Sequence, residues 1–369
     1  MMTDSTRSSI ILGLAFLGIL MMNGLYFMMP YEALNPYEYL SGSNLSTFQV
    51  LDILIGGAVV PFVALATGYL IHAFRHYGMG NLAKVAAFVL ALGIVQTFFI
   101  FAFDFLPGLA LMALVALLFL KAHWAVSLLA ALLLFFFHLT ANVLVGFFAS
   151  VGSPTDIIYT AMQDVQEFTS VFRSTDYFAI IALNIELFSR NVVSTLYGLL
   201  FTVLPWLLVG MSLGRLDIVR FIRSNPVMHI ILFIVLAGGG MAIKMIQVLT
   251  LGSYSGRLLA ENFGGPVLAL GYFLLMMYLT TIVPSSVLEV FRRMGRYFLT
   301  LYILSNVVFM LIFYGIGAGM YGEMEITAMI WTVLIIMVFL MLLATVLHRY
   351  RVRSIEDLFT HNSENGINR

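Results

Sequence analysis

Stretches of about twenty apolar residues follow one another along almost the whole chain, and their recurrence limits what it can fold into. Each is long enough, as a helix rising about 1.5 Å per residue, to cross about 30 Å of hydrocarbon. A soluble domain would have to hide them all. With 62% hydrophobic and 10% charged residues in a chain of 369, too little polar surface remains for that. The spacing therefore predicts an all-α, polytopic integral membrane bundle of about ten transmembrane helices. They fall at roughly 9–29, 48–71, 82–103, 105–121, 124–148, 191–213, 228–251, 264–286, 297–321 and 326–348. The first run, "SIILGLAFLGILMMNGLYFMM", is too long for a signal-peptide core. It ends in Met-Met-Pro instead of a small-residue cleavage site, and reads as an uncleaved span.

An even number of spans places both termini on one side, and the basic residues choose that side. Arg7, Arg75, Lys84, Lys121, Arg215, Arg220, Arg223, Arg292, Arg293, Arg296, Arg349, Arg351, Arg353 and Arg369 fall on the side of the termini. Only Arg173, Arg190 and Arg257 fall in the opposite loops. This asymmetry predicts cytoplasmic termini. Residues 149–190 form the longest interruption, and there Ile158, Met162, Val165, Phe168 and Phe172 recur at helical spacing among Asp164, Gln166, Glu167 and Arg173. That pattern predicts an amphipathic helix in the outer interface, its apolar face in lipid or against the bundle. As one membrane domain, the chain then divides into a five-span half (1–148), the external segment (149–190), a second five-span half (191–353) and a polar cytoplasmic tail (354–369). No sequence repeat relates the halves, so an inverted-repeat transporter is not supported.

Topology also gives every intramembrane polar residue a depth. Asn23, Asp52, Gln96, Asp104, His138, Asn142, Lys244 and Gln247, from five spans, all fall toward the outer face. Buried polar groups need partners at matching depth, so these residues predict a ligand-binding polar cavity open to the outside. Asp104 is the single carboxylate of "VLALGIVQTFFIFAFDFLPGLALMALVALLF", residues 89–119. It can cap the turn before Pro107, or it can pair with Lys244. Lys244 can equally pair with Asp52 or snorkel outward. His138 can donate to a backbone carbonyl or serve as a base. The chain has no cysteine, which excludes disulfides, thiolate catalysis and Cys-based metal sites. His72 and His76 stand i, i+4 without an acidic third ligand, and no metal site is assigned. Zero net charge points to no nucleic-acid partner. No phosphate loop, dinucleotide fingerprint, HExxH or G-x-S-x-G motif occurs, and no cofactor is expected.

The stretch "MGRYFLTLYILSNVVFMLIFYGIGAGMYG", residues 294–322, resembles the carboxy-terminal block of the YeiB-like family of bacterial membrane proteins, which opens G-R-x-x-L-T-x-Y. Gly295, Arg296, Leu299, Thr300 and Tyr302 match as they stand. "GLAFLGILMMN" (13–23), "EFTSVFR" (167–173), "ENFGGPVLALGY" (261–272) and "RSIEDLF" (353–359, with Glu356) follow the family's order. The resemblance implies a multi-pass protein of the bacterial cytoplasmic membrane, related to the transmembrane acyltransferases. Members carry L-D-x-x-R-G entering the first span; here Ser9, Leu12 and Gly13 stand in its place, and both charges are gone. A His precedes the family's G-D-I-L block; here Gln96 and "FDFL" stand there, keeping only Asp104. An amide has no accessible pKa for proton transfer and is a poor nucleophile, so Gln96 cannot do that histidine's work.

Three functions from different classes fit this pattern. The first is a non-catalytic relative that binds a lipid, a peptide or a cell-envelope precursor in the outward cavity. The second is a membrane acyltransferase with acyl-CoA as donor, which would need a rebuilt site with His138 as base and Asp104 as orienter. The third is a transporter or exporter gated by Lys244 and Asp104. Loss of the family's Asp, Arg and His favours the first.

Overall fold

The computed structural model describes residues 2–152 and 161–352, and every regular element among them is helical. The amino-terminal half contains α1 (Asp4–Met28), α2 (Pro36–Tyr39), α3 (Gly42–Ile55), α4 (Val59–Ala73), α5 (Met79–Phe99), α6 (Leu106–Ala116) and α7 (Trp124–Gly152). Then come α8 (Met162–Phe172), α9 (Tyr177–Thr202), α10 (Leu204–Arg215), α11 (Ile218–Ser224) and α12 (Pro226–Leu249). The chain continues through α13 (Tyr254–Leu259), α14 (Gly265–Ile282), α15 (Ser285–Arg296), α16 (Phe298–Phe313) and α17 (Ile326–Arg349). The Thr3 hydroxyl accepts from the Thr6 amide to start α1, and Asp4 sits favourably in its first turn. From there α1 packs against α4, α15 and α17, while α4 meets α10, α12 meets α14, and α5 meets α6.

Among the described residues, eight helical stretches are long and apolar enough to cross a membrane, with α3 and α4 taken as one and α13 and α14 as one, or nine if α15 and α16 count as one bent span. The expected count was about ten, and the difference lies in two places. The stretch 105–121 makes only a short apolar helix, Leu106–Phe119. The stretch 297–321 keeps its helix to Phe313, and α15 meets α16 at 73°. Beyond Phe313 the chain folds back: Ala318, Met320 and Tyr321 donate to the carbonyls of Leu311, Ile312 and Phe313. Those carbonyls end α16 and would otherwise lack donors.

The segment expected to be external is helical over its described residues 161–190, but the limits of its helices differ from those expected. Val165, Phe168 and Phe172 of α8 are buried against protein, with Phe172 stacked 4.6 Å from Tyr314. Arg173 holds that position by pairing with Glu323 and donating to the Tyr321 carbonyl at 2.8 Å. Ile158, and the tail with Glu356, lie outside the described residues. Asp176 then caps α9, which runs unbroken past residue 190, where the sixth span was expected to begin. Arg190, expected in an outer loop, instead sits one turn from Glu186 on an exposed helix face and pairs with it at 2.5 Å. The break falls instead at Val203, just before Pro205, whose ring supplies no amide donor.

Candidate functional site

Two interrupted helices meet to build the site. α3 ends at Ile55 and α4 begins at Val59, with Gly56, Gly57 and Ala58 between them. Opposite, residues Ala260–Gly264 make one π-helical turn between α13 and α14. Such turns displace side chains from the regular ladder and are frequent at functional sites. Gly57 allows the two breaks to touch. Its φ is +63°, and a Cβ there would stand 2.9 Å from the Glu261 Cα.

The floor of the site is a buried ion pair. Lys244 Nζ, from α12, lies 3.4 Å from Asp52 Oδ1, and their side chains are 0% and 4% exposed. Tyr37 Oη donates to Asp52 Oδ2 at 2.6 Å, so both carboxylate oxygens are engaged. Above them is a cavity of about 280 Å³ with Tyr26, Tyr31, Glu32, Asp52, Arg257 and Glu261 among its walls. Arg257 Nε donates to Glu261 Oε1 at 2.8 Å. Glu32, in the loop after α1, lines the cavity with an exposed side chain.

Asp52 and Lys244 are thus brought together, and the other expected residues are placed elsewhere. Asp104 does not meet Lys244. Its Oδ1 accepts from the Leu106 amide at 2.9 Å and from Tyr302 Oη at 2.5 Å, so it caps the turn and ties it to α16. Beside this link, Asn23 Nδ2 donates to Asn306 Oδ1 at 2.8 Å. Gln96 is buried at the end of α5, and neither atom of its amide has a partner among the described residues. His138 pairs with Asn262 Oδ1 at 3.2 Å and stacks on Phe201, so Asp104 does not orient it. Asn142 lines a separate, mainly apolar groove with Leu139, Val143 and Leu258. Gln247 is buried one turn beyond Lys244. His72 faces Arg75 at 2.9 Å, and no group of three or more His, Cys, Asp or Glu that could hold a metal ion forms among the described residues.

Tyr26, Tyr31, Glu32, Arg257 and Glu261 were not anticipated as site residues. Arg257 and Glu261 did leave a trace in the sequence, an i, i+4 basic–acidic pair on a helix. The family-like positions meet one another as well. A Cβ on Gly295 would lie 1.7 Å from the Ser9 carbonyl oxygen, and one on Gly13 2.0 Å from that of Phe291, so α15 and α1 run backbone to backbone. Tyr302 is the partner of Asp104. Arg296 stands over the Tyr297 ring at 5.9 Å.

A bundle that is all-helical among the described residues, with eight helical stretches there able to cross a bilayer, is the architecture of a multi-pass membrane protein. Within it, residues 213–353 match a family described as "Protein of unknown function (DUF418)", and this region contains Gly295, Arg296, Thr300 and Tyr302. No curated protein and no solved structure matches the chain.

Proposed function

We propose that this is a multi-pass protein of the bacterial cytoplasmic membrane, with both termini inside, that binds a ligand in an outward-facing cavity. The cavity walled by Glu32, Arg257 and Glu261 over the Asp52–Lys244 pair carries this reading. Charged residues inside a membrane protein are costly, and five converging on one space are best explained by something that uses them. Membership of the YeiB-like group belongs to the same proposal, as does the ten-span topology with α8 on the outer surface. Acyl transfer has less support, because His138 is held by Asn262 and stands without a carboxylate partner.

Native mass spectrometry in mild detergent tests the cavity. The wild-type protein is expected to carry a non-covalent adduct that Met22→Trp, which fills the cavity, lacks. The same adduct on both proteins, or none on either, overturns the reading. Reporter fusions test orientation. Those after Arg353 and within 78–82 are expected to read cytoplasmic, and those within 30–46 and 155–188 external. A cytoplasmic reading at 155–188 removes both the ten-span topology and the outward cavity.

A further inference from the structure

The charges in the cavity do not balance. Three carboxylates, Glu32, Asp52 and Glu261, wall it, against one cation in the wall, Arg257, and one behind it, Lys244. Lys244 is spent on Asp52 and Arg257 on Glu261. Glu32 has no ion pair of its own among the described residues and only shares the field of Arg257. An incoming anion would find both cations engaged and three carboxylates facing it. A positive group would find one surplus carboxylate, that of Glu32, and a net Coulomb attraction.

The rings add a second, independent preference. Tyr26 and Tyr31 stand with centroids 4.7 Å apart at the cavity wall, and Phe48 lies 6.2 Å beyond Tyr31. Aromatic faces attract ammonium groups, most strongly where water is scarce. Divalent metals ask instead for several carboxylates converging on one point, and no such group of three forms among the described residues.

Resting on the cavity reading above, we infer that the ligand carries an ammonium group, seated between the Glu32 carboxylate and the Tyr26 and Tyr31 rings. A cavity of about 280 Å³ suits a headgroup or a free small amine, not a whole lipid.

Thermal melting of the full chain in a non-ionic maltoside, at constant ionic strength, tests this. The probes are ethanolamine hydrochloride, dihexanoyl-phosphatidylethanolamine and, as the control without an amine, dihexanoyl-phosphatidylglycerol. At least one amine probe is expected to raise Tm by several degrees, and the glycerol lipid is not. A response to ethanolamine alone identifies a free amine; a response to the phospholipid alone identifies a lipid headgroup. Glu32→Gln, a change outside the long helices, is expected to weaken amine binding at least tenfold. Glu38→Gln, in α2 and not in the cavity wall, is expected to match wild type. Equal shifts from the glycerol lipid, or full amine binding by Glu32→Gln, overturn the inference. If Met22→Trp strips the co-purified ligand while no amine moves Tm, the ammonium assignment fails and the cavity reading stands. If the adduct ignores Met22→Trp, both fail.

Discussion

Lys244→Met is expected to destabilise the protein by about 3–5 kcal/mol, because it leaves Asp52 as a buried charge without its cation. Asp52→Asn strands the lysine in the same way and is expected to cost a similar amount, although Tyr37 keeps an oxygen to which it can donate. The double variant is expected to recover most of the loss, since two neutral side chains of similar size carry no desolvation penalty. Unfolding in detergent by heat or denaturant measures all three. Losses that simply add would mean that the two charges do not support one another. The corresponding pair of Lys244 with Asp104 is expected to behave additively, because Asp104 is satisfied by Tyr302 and Leu106.

Gly295→Ala is expected to cost about 3 kcal/mol, the upper end of the usual overpacking range. The new methyl would occupy the place of the Ser9 carbonyl oxygen, and neither backbone can yield without moving a whole helix. α15 would have to lift from α1, and the 73° junction with α16 would open with it. Size-exclusion profiles and melting temperatures report the loss. Gly238→Ala supplies the control: it lies inside α12 with nothing within 4 Å of its would-be Cβ. There the alanine is expected to be neutral or to stabilise by up to about 1 kcal/mol, through helix propensity alone. A Gly295→Ala protein as stable as wild type would mean that α1 and α15 do not depend on their close approach.

The helical class and the positions of the long spans were legible because a twenty-residue apolar run has few other uses. Asp52 and Lys244 stood out for the same reason, as charges where charges are expensive. Their pairing was not legible. Span counting gives depth along the membrane normal but no azimuth, and it made Asp104 and Asp52 equally good partners for Lys244. Packing decided between them, by turning the end of α5 toward Tyr302 and placing α3 beside α12. Glu32, Arg257 and Glu261 were hidden for the opposite reason. They lie next to span ends, where a charged residue is ordinary and raises no question. The start of the sixth span was missed in a third way, because polar residues such as Glu186 and Arg190 break the apolar run while lying on one exposed face of the unbroken α9.

A continuous helix is a stiff rod, and a bundle of such rods can widen an internal space only by tilting along its full length. The chain between α3 and α4 and the π turn before α14 are joints set into two of those rods, and the joints touch. Residues on either side of each joint can swing while the far ends stay anchored. A bend confined to the few peptide units near Gly57 and Glu261 would therefore reshape the chamber over Asp52 without tilting a whole helix.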